Sequence, residues 1–202
     1  MATVVFVHAH PDDEAILTAG TMRALVEVGH SVVLVLATDG GAGLTSSAHQ
    51  HDLGLRRLDE AANSAQALGI TERIWLGYAD SGLDGAQQSE NETFCKANPE
   101  DAALRLAEVL QSHSADAVIG YDARGGYGHP DHIRLHHVVH RAAAIAGTAN
   151  VFEATLDRGL IRRLIFPLVP LGLLANISAI NNVTQGFSES SDITHTVDVR
   201  TL

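Results

Sequence analysis

This chain of 202 residues has one cysteine and one lysine, and no apolar run in it is long enough to cross a bilayer. With Cys95 alone, an intrachain disulfide is excluded, and a reducing, cytoplasmic setting is the simple reading. No histidine or basic cluster adjoins Cys95, so its thiol reads as structural rather than reactive. Lys96 stands against twelve arginines, and the net charge is −11. That balance leaves no basic stripe, which argues against nucleic acid and anionic membranes as partners. A spanning helix needs about 20 apolar residues. The run Leu164–Ala175 is shorter and is broken by Pro167 and Pro170, so no membrane span is expected. It reads as a buried or pocket-covering segment, with docking onto lipid or onto a second copy in a homo-oligomer as the alternatives. Met1-Ala2-Thr3 leads straight into an apolar stretch with no charged leader and no cleavage signature, so no signal peptide is read.

What is present is an alternation of two kinds of segment. Val4–Val7 and Ser31–Ala37 are continuous apolar, β-branched runs, as strands covered on both faces need. Asp13–Val28 has helical spacing, with Ile16, Met22, Leu25 and Val26 expected on one buried face and Gly29 as the stop. Leu53–Leu68, ended by Gly69, predicts a second helix. Pro99–Ser112 predicts a third, with proline in its first turn, and Ile133–Ala146 a fourth. Ile74–Leu76, Ala117–Gly120 and Val151–Ala154 predict short strands. Gly82–Asn98 reads as a polar surface loop, and Thr196–Leu202 as a strand-like end. The alternation predicts one α/β domain over residues 1–202: a Rossmann-like three-layer sandwich with a mostly parallel central sheet. Ligands of such sheets bind beyond the carboxyl ends of the strands.

Two chemistry-bearing clusters fall at such ends. His10-Pro11-Asp12-Asp13-Glu14 follows the first strand, and His129-Pro130-Asp131-His132 follows Ala117–Gly120. Imidazoles and carboxylates buried there are costly unless a metal or a partner compensates them. His10 and Asp13 are three apart where strand gives way to helix, so both can face one point; His132 opens the later helix. Two imidazoles and one carboxylate leave a coordination position for water, which marks a catalytic zinc site rather than a structural one. Bound Zn²⁺ lowers the pKa of its water to about 7. The same donor set also suits Fe²⁺. Asp12-Asp13-Glu14 alone would be favoured at any helix start by the macrodipole, so the weight rests on the two clusters together. His132, His136 and His140 fall four apart, but no glutamate stands where an HExxH helix needs one. His136, His137 and His140 therefore read as surface or packing residues. Gly40-Gly41-Ala42-Gly43 follows the second strand and lacks GxGxxG spacing, which speaks against a dinucleotide site.

The stretches Ala9-His10-Pro11-Asp12-Asp13-Glu14 and Gly125-Gly126-Tyr127-Gly128-His129-Pro130-Asp131-His132 resemble the LmbE/PIG-L family of zinc-dependent N-deacetylases. Thr38-Asp39-Gly40 and Arg57-Leu58-Asp59-Glu60 belong to the same likeness, which runs from about Val4 to about Thr155. Asp80-Ser81-Gly82 matches a segment of the branch that works on the mycothiol pathway. The resemblance implies hydrolysis of the N-acetyl group of an N-acetylglucosamine-containing small molecule. It implies His10, Asp13 and His132 as metal ligands, and Asp12 as the base that takes a proton from water and returns it to the leaving amine. His129 would stabilise the oxyanion, with Asp131 orienting it and Tyr127 adding a hydrogen bond. Arg57 and Asp80 would hold sugar hydroxyls, although Arg57 could equally pair with Glu14 or Glu60.

The likeness fades over residues 156–202, where relatives place elements that shape the substrate site. The end of the chain reads as a short variant or as one without its tail. Two other functions stay open at this point: an amidase acting on a larger acyl or mycothiol-type conjugate, and a non-catalytic metal- or sugar-binding domain. The intact Asp12 argues against the second, because a pure binder has no need of it.

Overall fold

The structure is a computed structural model that describes residues 1–43, 45, 51–85, 87, 89, 91–165, 185–200 and 202. Five strands form one sheet: β1 (Thr3–His8), β2 (Ser31–Thr38), β3 (Glu72–Tyr78), β4 (Ala117–Tyr121) and β5 (Asn150–Ala154), in the order β3-β2-β1-β4-β5. Among the described residues every neighbouring pair is parallel, with Val4 against Val32 and Ala117, and Val118 against Val151. The strand order reverses between β1 and β4, and the crevice at such a switch point is where ligands bind in open α/β sheets.

Helices cover both faces, so the strands are apolar on both. Val5 and Val7 point to the face packed by α4 (Pro99–Ser112) and α5 (Pro130–Ala146), with Leu106, Leu110, Leu135 and Val139. Val4 and Phe6 point to the opposite face, against Met22, Leu58, Ala61 and Ala65 of α2 (Ala19–Glu27) and α3 (Leu53–Leu68). A last described helix, α6, spans Arg158–Ile165.

The expected helix Asp13–Val28 is two helices, α1 (Asp13–Leu17) and α2, broken at Thr18 with φ −135° and ψ −2°. The Thr18 hydroxyl lies 2.7 Å from His8 Nε2, a buried bond that outweighs helix continuity. Met22 is buried while Ile16 is 70% exposed; six residues apart, the two would stand about 120° apart even on one continuous helix. Gly82–Asn98 is less of a surface loop than its polarity predicts. Its Phe94 and Ala97 are buried, and the Phe94 ring packs 5.3 Å from that of Tyr78. The segment 193–199 forms no strand; Val199 lies against Gly20 of α2 rather than along a sheet edge. Of Leu164–Ala175, residues 166–175 lie outside the described residues. No described helix is long and apolar enough to cross a membrane.

Candidate active site

The two sequence clusters meet at the carboxyl ends of β1 and β4. His10 leaves β1 in a turn that Asp13 closes by accepting the His10 N–H at 2.9 Å through Oδ2. Asp12 sits in that turn with φ 108°, a left-handed conformation that short acidic side chains tolerate best at a cost of order 1–3 kcal/mol. Its own N–H donates to Glu14 Oε2 at 3.0 Å. On the β4 side, Gly125, Gly126 and Gly128 all have positive φ. A Cβ on Gly125 would stand 2.7 Å from Ile133 N and 2.8 Å from His132 Cβ, so only glycine lets the loop lie this close to α5. Pro130 opens α5, and His129 caps it by accepting the Asp131 N–H at Nδ1.

Three ligand atoms converge. His10 Nδ1 is 3.3 Å from Asp13 Oδ2, His132 Nε2 is 3.2 Å from the same oxygen, and the two nitrogens are 3.2 Å apart. The outward nitrogens are engaged elsewhere: His10 Nε2 with Asp131 Oδ2 at 3.2 Å and Asp80 Oδ1 at 3.3 Å, and His132 Nδ1 with Gly125 O at 3.2 Å. A carboxylate or carbonyl behind each imidazole is what holds a metal-binding histidine in its tautomer. Around a cation with bonds of about 2.0–2.1 Å, tetrahedral ligand atoms stand about 3.3–3.4 Å apart. The donor triangle fits that spacing. His129 is close enough that His10, His129 and His132 form a further donor group, as do His10, Asp80, His129 and Asp131.

Charge argues in the same direction. Asp13, Asp80 and Asp131, all buried, surround His10, a concentration of negative charge that a low-dielectric site tolerates only with a compensating cation. Burial alone would lower the His10 pKa, but hydrogen bonds to Asp13, Asp131 and Asp80 outweigh it and hold it well above the usual value. Burial would raise Asp13, yet its bonds to His10 and His132 take it well below. Asp80, opposed in the same way, lies at about 2.

The remaining expected residues fall around this triangle. Asp12 is solvent-exposed and bonded at Oδ2 by Arg57 Nη2 at 2.6 Å. Partial desolvation by the surrounding protein raises its pKa even so, and the Arg57 charge restrains the rise. Arg57 also donates to Pro11 O at 2.6 Å and Gly40 O at 2.7 Å. It meets neither Glu14 nor Glu60 in a described bond, and it ties the turn after β1 to the turn after β2. Asp80 accepts from the backbone of Ala42 and Gly82 as well as facing His10. The Asp131 carboxylate turns to His10, the Ser81 N–H and the Cys95 thiol; His129 receives only the Asp131 main-chain N–H. Burial, with His10 and His132 nearby, lowers the His129 pKa to about 4, so the ring is neutral. With Nδ1 accepting, its proton sits on Nε2. The half-exposed Tyr127 ring lies edge-on to His132 at 4.9 Å, and burial raises its phenol pKa.

Some participants had no signal in sequence. Tyr121, fully buried, donates to Asp13 Oδ2 at 2.6 Å and stacks on His132 at 4.1 Å. Its oxygen accepts from Ala9 N–H at 3.1 Å and faces His8 Nδ1 at 3.3 Å, and His8 Nε2 in turn meets the Thr18 hydroxyl. With the Tyr121 proton on Asp13, the consistent chain runs Thr18 O–H to His8 Nε2, then His8 Nδ1–H to Tyr121 oxygen. Burial lowers the His8 pKa to about 4, which keeps this imidazole neutral. Burial and the Asp131 contact raise the Cys95 thiol to about 11, an unreactive state.

The family model for PIG-L, GlcNAc-PI de-N-acetylase, matches residues 5–143. The chain belongs to the PIG-L family. It is 40% identical over 156 residues to a 1D-myo-inositol 2-acetamido-2-deoxy-alpha-D-glucopyranoside deacetylase of Streptomyces scabiei, covering 71% of this chain and 48% of that protein. The protein of the same name from Nocardiopsis dassonvillei is 40% identical over 157 residues, 71% of this chain and 55% of that one. This PIG-L chain therefore spans about half the length of these curated relatives. Its fold is similar to that of N,N'-diacetylchitobiose deacetylase from Pyrococcus horikoshii, with a TM-score of 0.63, 23% identity and coverage of 94% of this chain and 72% of that one. The aligned folds share the α/β architecture with a parallel sheet that the sequence pattern predicts.

Proposed function

We propose that the chain is a metal-dependent N-deacetylase that releases acetate from an N-acetylglucosamine-containing small molecule. The carrying observation is the triangle of His10 Nδ1, Asp13 Oδ2 and His132 Nε2, with sides of 3.2–3.3 Å and both outward nitrogens engaged. These three would hold a divalent cation, Zn²⁺ or Fe²⁺, which when bound acidifies water and polarises an amide carbonyl. The names of the curated relatives support a glucosaminide linked to inositol as the substrate class.

In this reading Asp12 takes a proton from the attacking water as the C–O bond forms. It returns that proton to the nitrogen as the C–N bond breaks, leaving acetate and a free amine. A carboxylate of raised pKa is the stronger base, and the Arg57 bond at 2.6 Å holds it in place. His129, neutral and protonated on Nε2, would donate to the carbonyl oxygen as negative charge develops there, and Tyr127 would add a donor. We assign Asp131 to orienting His10 rather than His129, because its carboxylate contacts the His10 ring. Arg57 and Asp80 are committed to Asp12 and His10, so we read their part as building the site, with sugar contacts secondary. A single domain over residues 1–202 and a cytoplasmic setting, suited to the lone Cys95, complete the proposal.

The experiment offers glucosaminides with acetyl, propionyl and hexanoyl groups on nitrogen, linked to inositol or to other aglycones, to Zn²⁺-supplemented chain. Release that is fastest for acetyl supports the deacetylase. Preference for the longer acyl groups would instead identify an amidase.

A further inference from the structure

One turn and two turns beyond His132, α5 presents two more histidines, and the edge strand β5 sets a carboxylate opposite them. Glu153 Oε1 lies 3.2 Å from His136 Nδ1 and 3.0 Å from His140 Nε2. The two rings are 4.6 Å apart. Ligand atoms of all three residues lie within 4.8 Å of one another. We propose that His136, His140 and Glu153 form a second divalent transition-metal site, separate from the candidate active site, that clips α5 to β5.

The argument rests on convergence. A carboxylate oxygen within 3.0–3.2 Å of two imidazole nitrogens is a layout in which one cation can bind among all three. As ion pairs alone these contacts contribute little, since exposed pairs are typically worth about 0–1 kcal/mol. Histidines at i and i+4 share a helix face, and register fixes the third donor: Glu153 pairs with Gly120 of β4, beside the strand that α5 covers. The same His136 Nδ1 lies 3.1 Å from the Tyr121 carbonyl, a contact that a metal bound at Nδ1 would replace. His140 and Glu153 are partly exposed, so an ion can enter. Two imidazoles and one carboxylate favour Zn²⁺, Ni²⁺ or Cu²⁺ over Mg²⁺ or Ca²⁺. The sequence shows the two histidines but not the glutamate, which arrives from the next strand.

The site is tested by equilibrium dialysis of metal-free chain against Zn²⁺, comparing wild type with His140→Ala and Glu153→Gln. Each variant should bind one equivalent fewer than wild type, whatever the active site binds. Zn²⁺ should also raise the Tm of wild type more than that of either variant, and Mg²⁺ should raise neither. Amide resonances near residues 136–140 and 153 should broaden on adding Co²⁺. Equal zinc stoichiometry in all three proteins would overturn the proposal, as would Co²⁺ broadening confined to residues near His10 and His132. His140 is a surface residue, so loss of fold does not confuse the outcome; intact circular dichroism checks this directly.

Discussion

Tyr121→Phe removes one oxygen and leaves the ring stacked on His132, so its effect isolates the hydrogen bonds. That oxygen donates to Asp13 Oδ2 at 2.6 Å, accepts from Ala9 N–H at 3.1 Å and faces His8 Nδ1 at 3.3 Å. Ala9 is fully buried and His8 almost so; neither can turn to water for a substitute partner. Leaving a buried donor unsatisfied costs about 1–3 kcal/mol, so two such donors predict a stability loss of roughly 2–6 kcal/mol. Stability alone would not distinguish a core tyrosine from one that positions a ligand. If Tyr121 holds Asp13 for metal binding, zinc affinity should fall about 10–100-fold, the usual effect of removing a partner behind a ligand. Chelator competition measures that affinity, and urea unfolding of the metal-free chain measures the stability. Thr18→Val, at the far end of the chain through His8, should give a smaller loss in both. A Tyr121→Phe variant that loses stability but binds zinc within twofold of wild type would refute the positioning role.

Asp12→Asn should keep full metal content while turnover falls about 10²–10⁴-fold; loss of metal would move Asp12 among the ligands. His132→Ala should lower zinc content at the active site sharply, read by metal analysis in a His140→Ala background, and undiminished content there would contradict the ligand set. Stability should also respond to acid through His8. Its folded pKa of about 4 lies below the unfolded 6.5, so the contribution is complete above pH 6.5 and is lost as pH falls toward 4. The size is about 3 kcal/mol at most. Urea unfolding at pH 7.5 and 4.5 should therefore show a smaller acid loss for His8→Gln than for wild type, and equal losses would count against a neutral buried His8.

Much of this molecule is legible in the residues alone, and the boundary of legibility is physical. Continuous β-branched runs mark β1 and β2 because a sheet covered on both faces needs apolar residues at every position. Both histidine motifs follow strands, and strand order carries them to one crevice, so His10, Asp13 and His132 could be grouped before their distances were known. The break at Thr18 was not legible, because the helical spacing continues through it and the side-chain bond it makes is to His8, at the end of the preceding strand. Asp131 stands two residues from His129, yet its carboxylate reaches His10, 121 positions away. Proximity in sequence pointed to His129 instead. Tyr121 to Asp13, Cys95 to Asp131 and Glu153 to His140 are likewise contacts set by register and crossover, with no local pattern to announce them. Phe94 escaped notice for a different reason: one buried aromatic in a polar segment does not alter the segment's average.

The most direct test of the central claim is to strip the chain of metal, supply 1D-myo-inositol 2-acetamido-2-deoxy-alpha-D-glucopyranoside, and count acetate and free amine before and after one equivalent of Zn²⁺ per active site. The account predicts negligible release without metal, and equimolar acetate and amine over many turnovers once it is restored. Zinc held by His10, Asp13 and His132 with no acetate released from this or any other N-acetylglucosaminide would contradict it.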